Sequence, residues 1–286
     1  MGNIYAKENV EIAWCPGCGN FGIRNTVLKA LEELSIPREN LVFVSGIGQS
    51  AKAPQYYNTS YFNGLHGRAL PAAAAIKGAN PQLKVIVESG DGDMYGEGGN
   101  HFIHAIRRNS DITVIVHNNM VYGLTKGQAS PTSRPGFTTP VQVDGVFENP
   151  LNPAALAIAL DASFVARASA GEQEKTKEII KSAVNHKGFA LVDIFSACVS
   201  FNKVNTHKWF KENTYIMEEG YDPKNRAEAF KKSLEEGPWP LGILYINENK
   251  PVFEEKLAPY LNKDNTPLYL RKREISAVKD ILDTKK

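Results

Sequence analysis

The sequence predicts an α/β fold built on a doubly wound, mostly parallel sheet. Three features lead there: short continuous apolar runs, helical periods between them, and glycine-rich turns closing the runs. Runs of that kind suit strands covered by helices on both faces. Ile23, Val27, Leu28, Leu31 and Leu34 recur at helical spacing and stop before Pro37, which predicts the first helix. Residues 41–44 read as the first strand, and Ser45-Gly46-Ile47-Gly48 as the tight turn that ends it. The unit then repeats, with an Ala-rich helix near 68–79, a strand at 83–87, a glycine loop, a helix near 100–108, a strand at 112–116 and a long loop. Residues 153–160 read as helix, 164–166 as strand, 173–186 as helix and 189–195 as strand.

After about residue 200 the character changes. Asp222 and Pro223 are expected as N-cap and first residue of a helix ending before Gly237, and 241–246 as a further strand. Ile275, Val278, Ile281 and Leu282 return to helical spacing among basic residues. Residues 1–200 are thus expected to form the core, with a Cys-x-x-Cys segment near its start, and 201–286 a C-terminal extension packing on the core or on a partner subunit.

Composition narrows the function classes. A chain of 286 residues with 42% hydrophobic residues is large enough to bury a substantial core without covalent staples. Its 33 Lys and Arg against 31 Asp and Glu leave a net charge of +2, which argues against a broad nucleic-acid surface. The longest apolar run, 69–76, contains Pro71 and falls far short of the roughly 20 residues that span a bilayer. Three cysteines cannot build a disulfide framework, and the opening residues do not read as a signal peptide, so a cytoplasmic location is expected.

In doubly wound sheets ligands sit beyond the carboxyl ends of the strands, which directs attention to the loops 46–52, 90–99, 118–128 and the segment from Ser196. The strongest constellation there is Gly90-Asp91-Gly92, 25 further residues, and Asn118-Asn119. Glycines let backbone amides approach a diphosphate, and the start of the following helix favours anions. Asp91 offers a hard oxygen to a small divalent cation, and an Asn at the next strand end a second; Mg²⁺ takes such ligands together with phosphate oxygens. Cys15 and Cys18 form a Cys-x-x-Cys ahead of the first helix, with Cys198 at the end of the strand at 189–195. A dithiol, a zinc site and an iron–sulfur centre all remain open readings of that pair. Lys52 and Lys126 each read as a ligand for phosphate or a substrate carboxylate, or as a solvated lysine. His101 and His104 lack the Glu of a metalloprotease motif and read as ordinary helix histidines.

Together, Gly90-Asp91-Gly92-Asp93 with Asn118-Asn119, the segment Trp14-Cys15-Pro16-Gly17-Cys18-Gly19-Asn20, Ser45-Gly46-Ile47-Gly48, Leu65-His66-Gly67-Arg68 and the segment 122–128 resemble the thiamine diphosphate-binding beta subunit of 2-oxoacid:ferredoxin oxidoreductases. The resemblance covers most of residues 12–210. It implies the diphosphate-domain type of sheet, and a Mg²⁺ ion held by Asp91, Asn119 and the backbone carbonyl of Val121. It also implies cofactor contacts from Ile47, Gly48, Gln49, Ser50, His66, Gly90, Asp91, Gly92, Asp93, Asn119, Val121, Tyr122, Gly123, Leu124 and Thr125, with His66 and Lys52 as candidate catalytic residues.

A 4Fe-4S cluster on Cys15, Cys18 and Cys198 is implied too, although the family's fourth cysteine is replaced by Gln49 here. The activity implied is oxidative decarboxylation of a 2-oxoacid to acyl-coenzyme A and CO₂, with electrons passing through the cluster to ferredoxin. An alpha subunit is implied as the source of the pyrimidine-binding domain and the activating Glu. Two alternatives stand beside it: a non-redox thiamine diphosphate decarboxylase or synthase subunit, and a zinc-holding scaffold without catalysis.

Overall fold

The computed structural model describes residues 3–272 and 274–285. In chain order its main elements are α1 (Gly19–Leu34), β1 (Leu41–Ser45), β2 (Ser60–Asn63), α2 (Ala69–Ala79), β3 (Lys84–Gly90), α3 (Gly99–Arg108), β4 (Thr113–Asn118), α4 (Pro153–Ala159), β5 (Phe164–Ser169), α5 (Gln173–Asn185), β6 (Ala190–Phe195), α6 (His207–Glu212), β7 (Thr214–Ile216), α7 (Arg226–Ser233), β8 (Trp239–Ile246) and α8 (Ile275–Asp283). The strands join one sheet in the order β2-β1-β3-β4-β6-β5-β8-β7. Every residue of β4, β5 and β6 is buried, as strands covered on both faces must be.

Side chains alternate across the sheet, and the two faces fill separate cores. Ile86, Ile115 and Val192 pack with Ile23, Val27 and Leu31 of α1 and with Ile179 and Ile180 of α5. Their neighbours Val85, Val87, Val114, Val116 and Leu191 face Leu70, Phe102, Ile106 and Ile158 of α2, α3 and α4. Doubly wound topology follows from this alternation, and it brings the ends of β1, β3, β4 and β6 to a common edge.

Several boundaries differ from the sequence reading, for physical reasons. β3 and β4 run on to Gly90 and Asn118, since parallel pairing continues to Gly90↔His117 and Asn118↔Phe195. β2 has no counterpart in that reading: all four of its residues are exposed, and parallel pairing to β1 alone defines it. The helix expected from Asp222 begins instead at Arg226, where the Asn225 side chain accepts from the Glu228 N–H. Asp222 closes a local turn by accepting from the Lys224 N–H. β8 pairs antiparallel with β5, the one antiparallel pairing among the described strands, and β7 adds to it in parallel. Residues beyond 200 therefore extend the core's own sheet, while α8 leaves Ile275, Val278, Ile281 and Leu282 exposed. No helix among the described residues is long and apolar enough to cross a membrane.

One largely buried ion pair joins α2 to the turn that leads into β4. Lys77 Nζ is 2.7 Å from Asp111 Oδ2 and donates to the Leu83 carbonyl at 2.8 Å. Burial would raise the Asp111 pKa, but the Lys77 ammonium and the Gly188 N–H outweigh it and hold it below the ordinary carboxylate value. That stabilisation is present above the ordinary value and is lost as pH falls through the depressed one. Lys77→Met leaves a mostly buried carboxylate without its cation and is expected to cost about 2 kcal/mol in urea denaturation at pH 7.

Candidate functional site

Glycine turns follow β1 and β3 and an Asn pair follows β4, so the loops at these three strand ends converge. They enclose a cavity of about 100 Å³ whose fifteen lining residues are the fifteen cofactor contacts expected from the sequence. Lys52 is half-buried in the turn after Gln49 and does not line it. Lys126 is exposed, with φ +71°, and does not line it either.

Asp93 holds the cavity's frame. Its Oδ1 accepts from the backbone N–H of Ile47 and of Gly67, each at 2.8 Å, and its Oδ2 from the Ser89 hydroxyl at 2.7 Å. One buried carboxylate thereby ties the β1 loop, the His66 turn and the end of β3 together. Gly46 must be glycine for this, because a Cβ there would stand 2.1 Å from Asp93 Oδ2. With both oxygens engaged, Asp93 acts on the cavity by placing the Ile47 and Gly67 loops.

Asp91 differs in kind. It is 2% exposed, and its Oδ2 accepts from the hydroxyls of Ser130 at 2.6 Å and Thr132 at 2.7 Å. Burial pushes its pKa up to about 6, against the pull of those two hydroxyls. No cationic side chain among the described residues forms an ion pair with it. A buried carboxylate without a counter-cation is costly unless one is supplied. Beside it, Asn119 Oδ1 accepts from the Val121 N–H at 3.1 Å, and Met120 between them has φ +57°. This left-handed turn brings the Asn119 amide and the Val121 peptide to the same wall. Asn118 is instead buried, donating to Asp193, with its Oδ1 2.9 Å from the Thr132 hydroxyl oxygen.

Across the cavity, Tyr122 covers Gly92. A Cβ on Gly92 would stand 2.2 Å from the tyrosine ring, so only glycine permits the contact. The Tyr122 hydroxyl is 3.1 Å from both the Gly92 carbonyl and Glu97 Oε2, and His66 Nδ1 is 2.9 Å from the same Glu97 oxygen. Sequence reasoning misses Glu97, and it misses Ser130 and Thr132. Each lies in irregular or π-turn backbone where no period marks it.

The three cysteines gather at the neighbouring corner. Cys15 is exposed, Cys18 half-buried and Cys198 buried. Burial pushes the Cys18 thiol up to about 11, and repulsion from Cys198 and Cys15 adds to the rise. A Cβ on Gly123 would lie 3.9 Å from Cys198 Sγ, so this thiol borders the cofactor loop. The Ser200 hydroxyl donates to Cys15 Sγ at 3.0 Å. Gln49 joins the corner to the cavity: its carbonyl accepts from Trp14 Nε1 at 2.7 Å, while its Oε1 is buried with no partner. Among the described residues no three His, Cys, Asp or Glu side chains are grouped closely enough to hold a single metal ion.

Known proteins share both the sheet and its loops. Residues 45–194 match the family described as thiamine pyrophosphate enzyme, C-terminal TPP binding domain, and 198–262 match the C-terminal part of the beta chain of pyruvate ferredoxin oxidoreductase. The chain is 46% identical over 265 residues to 2-oxoacid:ferredoxin oxidoreductase 2, subunit beta, of Aeropyrum pernix, covering 88% of this chain and 85% of that one. It is 46% identical over 192 residues to the 2-oxoglutarate oxidoreductase subunit KorB of Mycobacterium tuberculosis, covering 67% and 52% respectively. A solved 2-oxoglutarate:ferredoxin oxidoreductase from Magnetococcus marinus, with 2-oxoglutarate, coenzyme A and succinyl-CoA bound, superposes with a TM-score of 0.88 at 39% identity, over 91% of this chain and 89% of that one.

Proposed function

The chain belongs to the beta subunits of the 2-oxoacid:ferredoxin oxidoreductases, and from that premise we propose that it binds thiamine diphosphate and Mg²⁺ at the Asp91 cavity and supports oxidative decarboxylation of a 2-oxoacid to acyl-coenzyme A and CO₂. The observation that carries the reading is Asp91 itself, a buried carboxylate between two glycines with no side-chain cation paired to it among the described residues. Asp91, the Asn119 amide and the Val121 carbonyl offer the hard oxygen donors Mg²⁺ takes, leaving room for diphosphate oxygens. Gly90 and Gly92 keep the wall free of side chains where a diphosphate must approach the backbone. Thiamine diphosphate, when bound, supplies the electron sink for the decarboxylation.

The chain's own residues bind and orient. Asp93 places the Ile47 and Gly67 loops, Tyr122 walls off Gly92, and His66, oriented by Glu97, stands as a candidate proton carrier on the cavity wall. Lys52, one turn outside the cavity, is the second candidate catalytic group, toward a substrate carboxylate. At about 100 Å³ the cavity is small beside the roughly 300–1,000 Å³ of ordinary ligand pockets. A partner alpha subunit bringing the pyrimidine-binding domain and its activating Glu would complete it. The exposed face of α8 is a natural surface for that subunit.

The thiols of Cys15, Cys18 and Cys198 suit an iron–sulfur centre, and the 4Fe-4S cluster of our reading would carry electrons to ferredoxin. The three thiols lie near one another, and Gln49, whose Oε1 is buried without a hydrogen-bond partner among the described residues, lines the adjoining cavity. Coenzyme A-dependent reduction of a viologen dye by the purified complex, supplied with 2-oxoacid, tests the activity. Aldehyde or acyloin product without dye reduction would favour the non-redox alternative, and stoichiometric zinc without thiamine the scaffold.

A pH dependence follows from Asp91. A proton and Mg²⁺ compete for one carboxylate, so cofactor affinity should be full above about pH 6 and fall roughly tenfold per pH unit below it. In the cation-free chain the sign is reversed. Because the folded pKa exceeds the unfolded value of about 3.9, ionising Asp91 costs stability as pH rises from about 4 to 6. Calorimetric titration of thiamine diphosphate with Mg²⁺ between pH 5 and pH 8 checks the first slope.

A further inference from the structure

Behind the Met120 turn lies a second, larger cavity of about 280 Å³, and no part of the proposed mechanism uses it. Its inner wall carries Arg167, on β5 directly opposite Asp193 of β6. Arg167 is 2% exposed, yet among the described residues its Nε and Nη1 have no hydrogen-bond partner, and its Nη2 makes only long contacts of 3.4 and 3.5 Å, to Asn152 Oδ1 and the Ser233 carbonyl. Asp193 and Glu236 act on it through their charge, but Asp193 makes no direct ion pair with it among the described residues, its oxygens accepting instead from Tyr95 and Asn118. A guanidinium keeps its charge in proteins, so a fully buried one with unused N–H groups lacks an acceptor.

A second guanidinium, that of Arg134, lines the same cavity and lies 5.3 and 5.6 Å from the ring centroids of Trp239 and Trp209. The rest of the wall sets Met120, Phe195 and Trp239 on an apolar side beside polar side chains, among them Asn149, Asn152 and the exposed Glu236. We propose that this cavity is a binding site for a small organic carboxylate, its carboxylate on Arg167 and Arg134 and its carbon chain against Phe195, Met120 and Trp239. The planar fork of arginine matches a carboxylate or a phosphate equally, and the apolar wall selects the former because it favours a ligand with a carbon body. Asn118 and Thr132 line this cavity too, and Thr132 also bonds Asp91, so occupancy borders the cation loop without sharing its ligands.

The test uses the full-length protein as purified, titrated with succinate, inorganic phosphate and the uncharged succinamide. Tryptophan fluorescence is the readout, because two of the chain's three tryptophans flank Arg134. The expected result is saturable succinate binding in the millimolar range, phosphate at least about tenfold weaker, and none with succinamide. Arg134→Gln should weaken succinate at least about tenfold with the circular dichroism spectrum unchanged, and Glu236→Gln should tighten it. Binding should persist in Asp91→Asn, which separates this cavity from the thiamine site. Absence of saturable succinate binding, phosphate bound as tightly as succinate, an unaltered affinity in Arg134→Gln, or loss of binding in Asp91→Asn would overturn the proposal.

Discussion

Asp91→Asn is expected to weaken Mg²⁺-dependent thiamine diphosphate binding by at least about a hundredfold, or roughly 2.8 kcal/mol. The change is isosteric, so the Ser130 and Thr132 hydroxyls keep an acceptor and Asn119 keeps its place. What disappears is the carboxylate charge that would hold the divalent cation, Asp93 being engaged with the loops, and an amide oxygen is a much weaker ligand for Mg²⁺. Stability of the cofactor-free protein should hold or rise at pH 8, because a buried uncompensated carboxylate has been removed. These opposite signs separate a binding defect from a folding defect. Calorimetric titration with a parallel thermal melt measures both, and an affinity within threefold of the parent would remove Asp91 from the cation site.

Cys198→Ala is expected to act on the other half of the chemistry. The purified complex should lose most of its iron, and coenzyme A-dependent dye reduction should fall by at least about a hundredfold, while thiamine diphosphate affinity changes less than about threefold. Cys198 packs with Val121 and Phe137, so removing its sulfur leaves only a small void, costing about 1 kcal/mol. The thiol borders Gly123 without lining the cavity, which is why binding should survive. Iron and sulfide analysis together with electron paramagnetic resonance provide the readout. Unchanged iron with full dye reduction would show that these cysteines carry no electrons.

Much of this arrangement is legible in the sequence, because strand ends are. Continuous apolar runs such as residues 85–87 and 114–116 mark strands covered on both faces, and in the structure their alternate side chains enter two separate cores. Gly90, Asp91 and Asn119 can be located since glycine turns and an Asn pair directly follow such runs. Glu97, Ser130 and Thr132 escape notice for the opposite reason: they reach the site from backbone with no period, and only tertiary contact gives them a role. Asp93 shows a different limit. The family resemblance implies a cofactor contact there, and in the structure both its oxygens are occupied in holding loops. β2, an exposed edge strand, and the late start of α7 are hidden because backbone pairing and a single Asn cap decide them.

If Asp91 and its neighbours form a diphosphate site, that site must depend on a cation, since the carboxylate alone would repel the diphosphate. Equilibrium titration of thiamine diphosphate into the purified protein at pH 7.5, with Mg²⁺ and then with the metal chelated, separates the cases. Saturable binding with Mg²⁺, one cofactor per chain, that disappears on chelation is the expected result. Absence of binding, or binding indifferent to the cation, would contradict it.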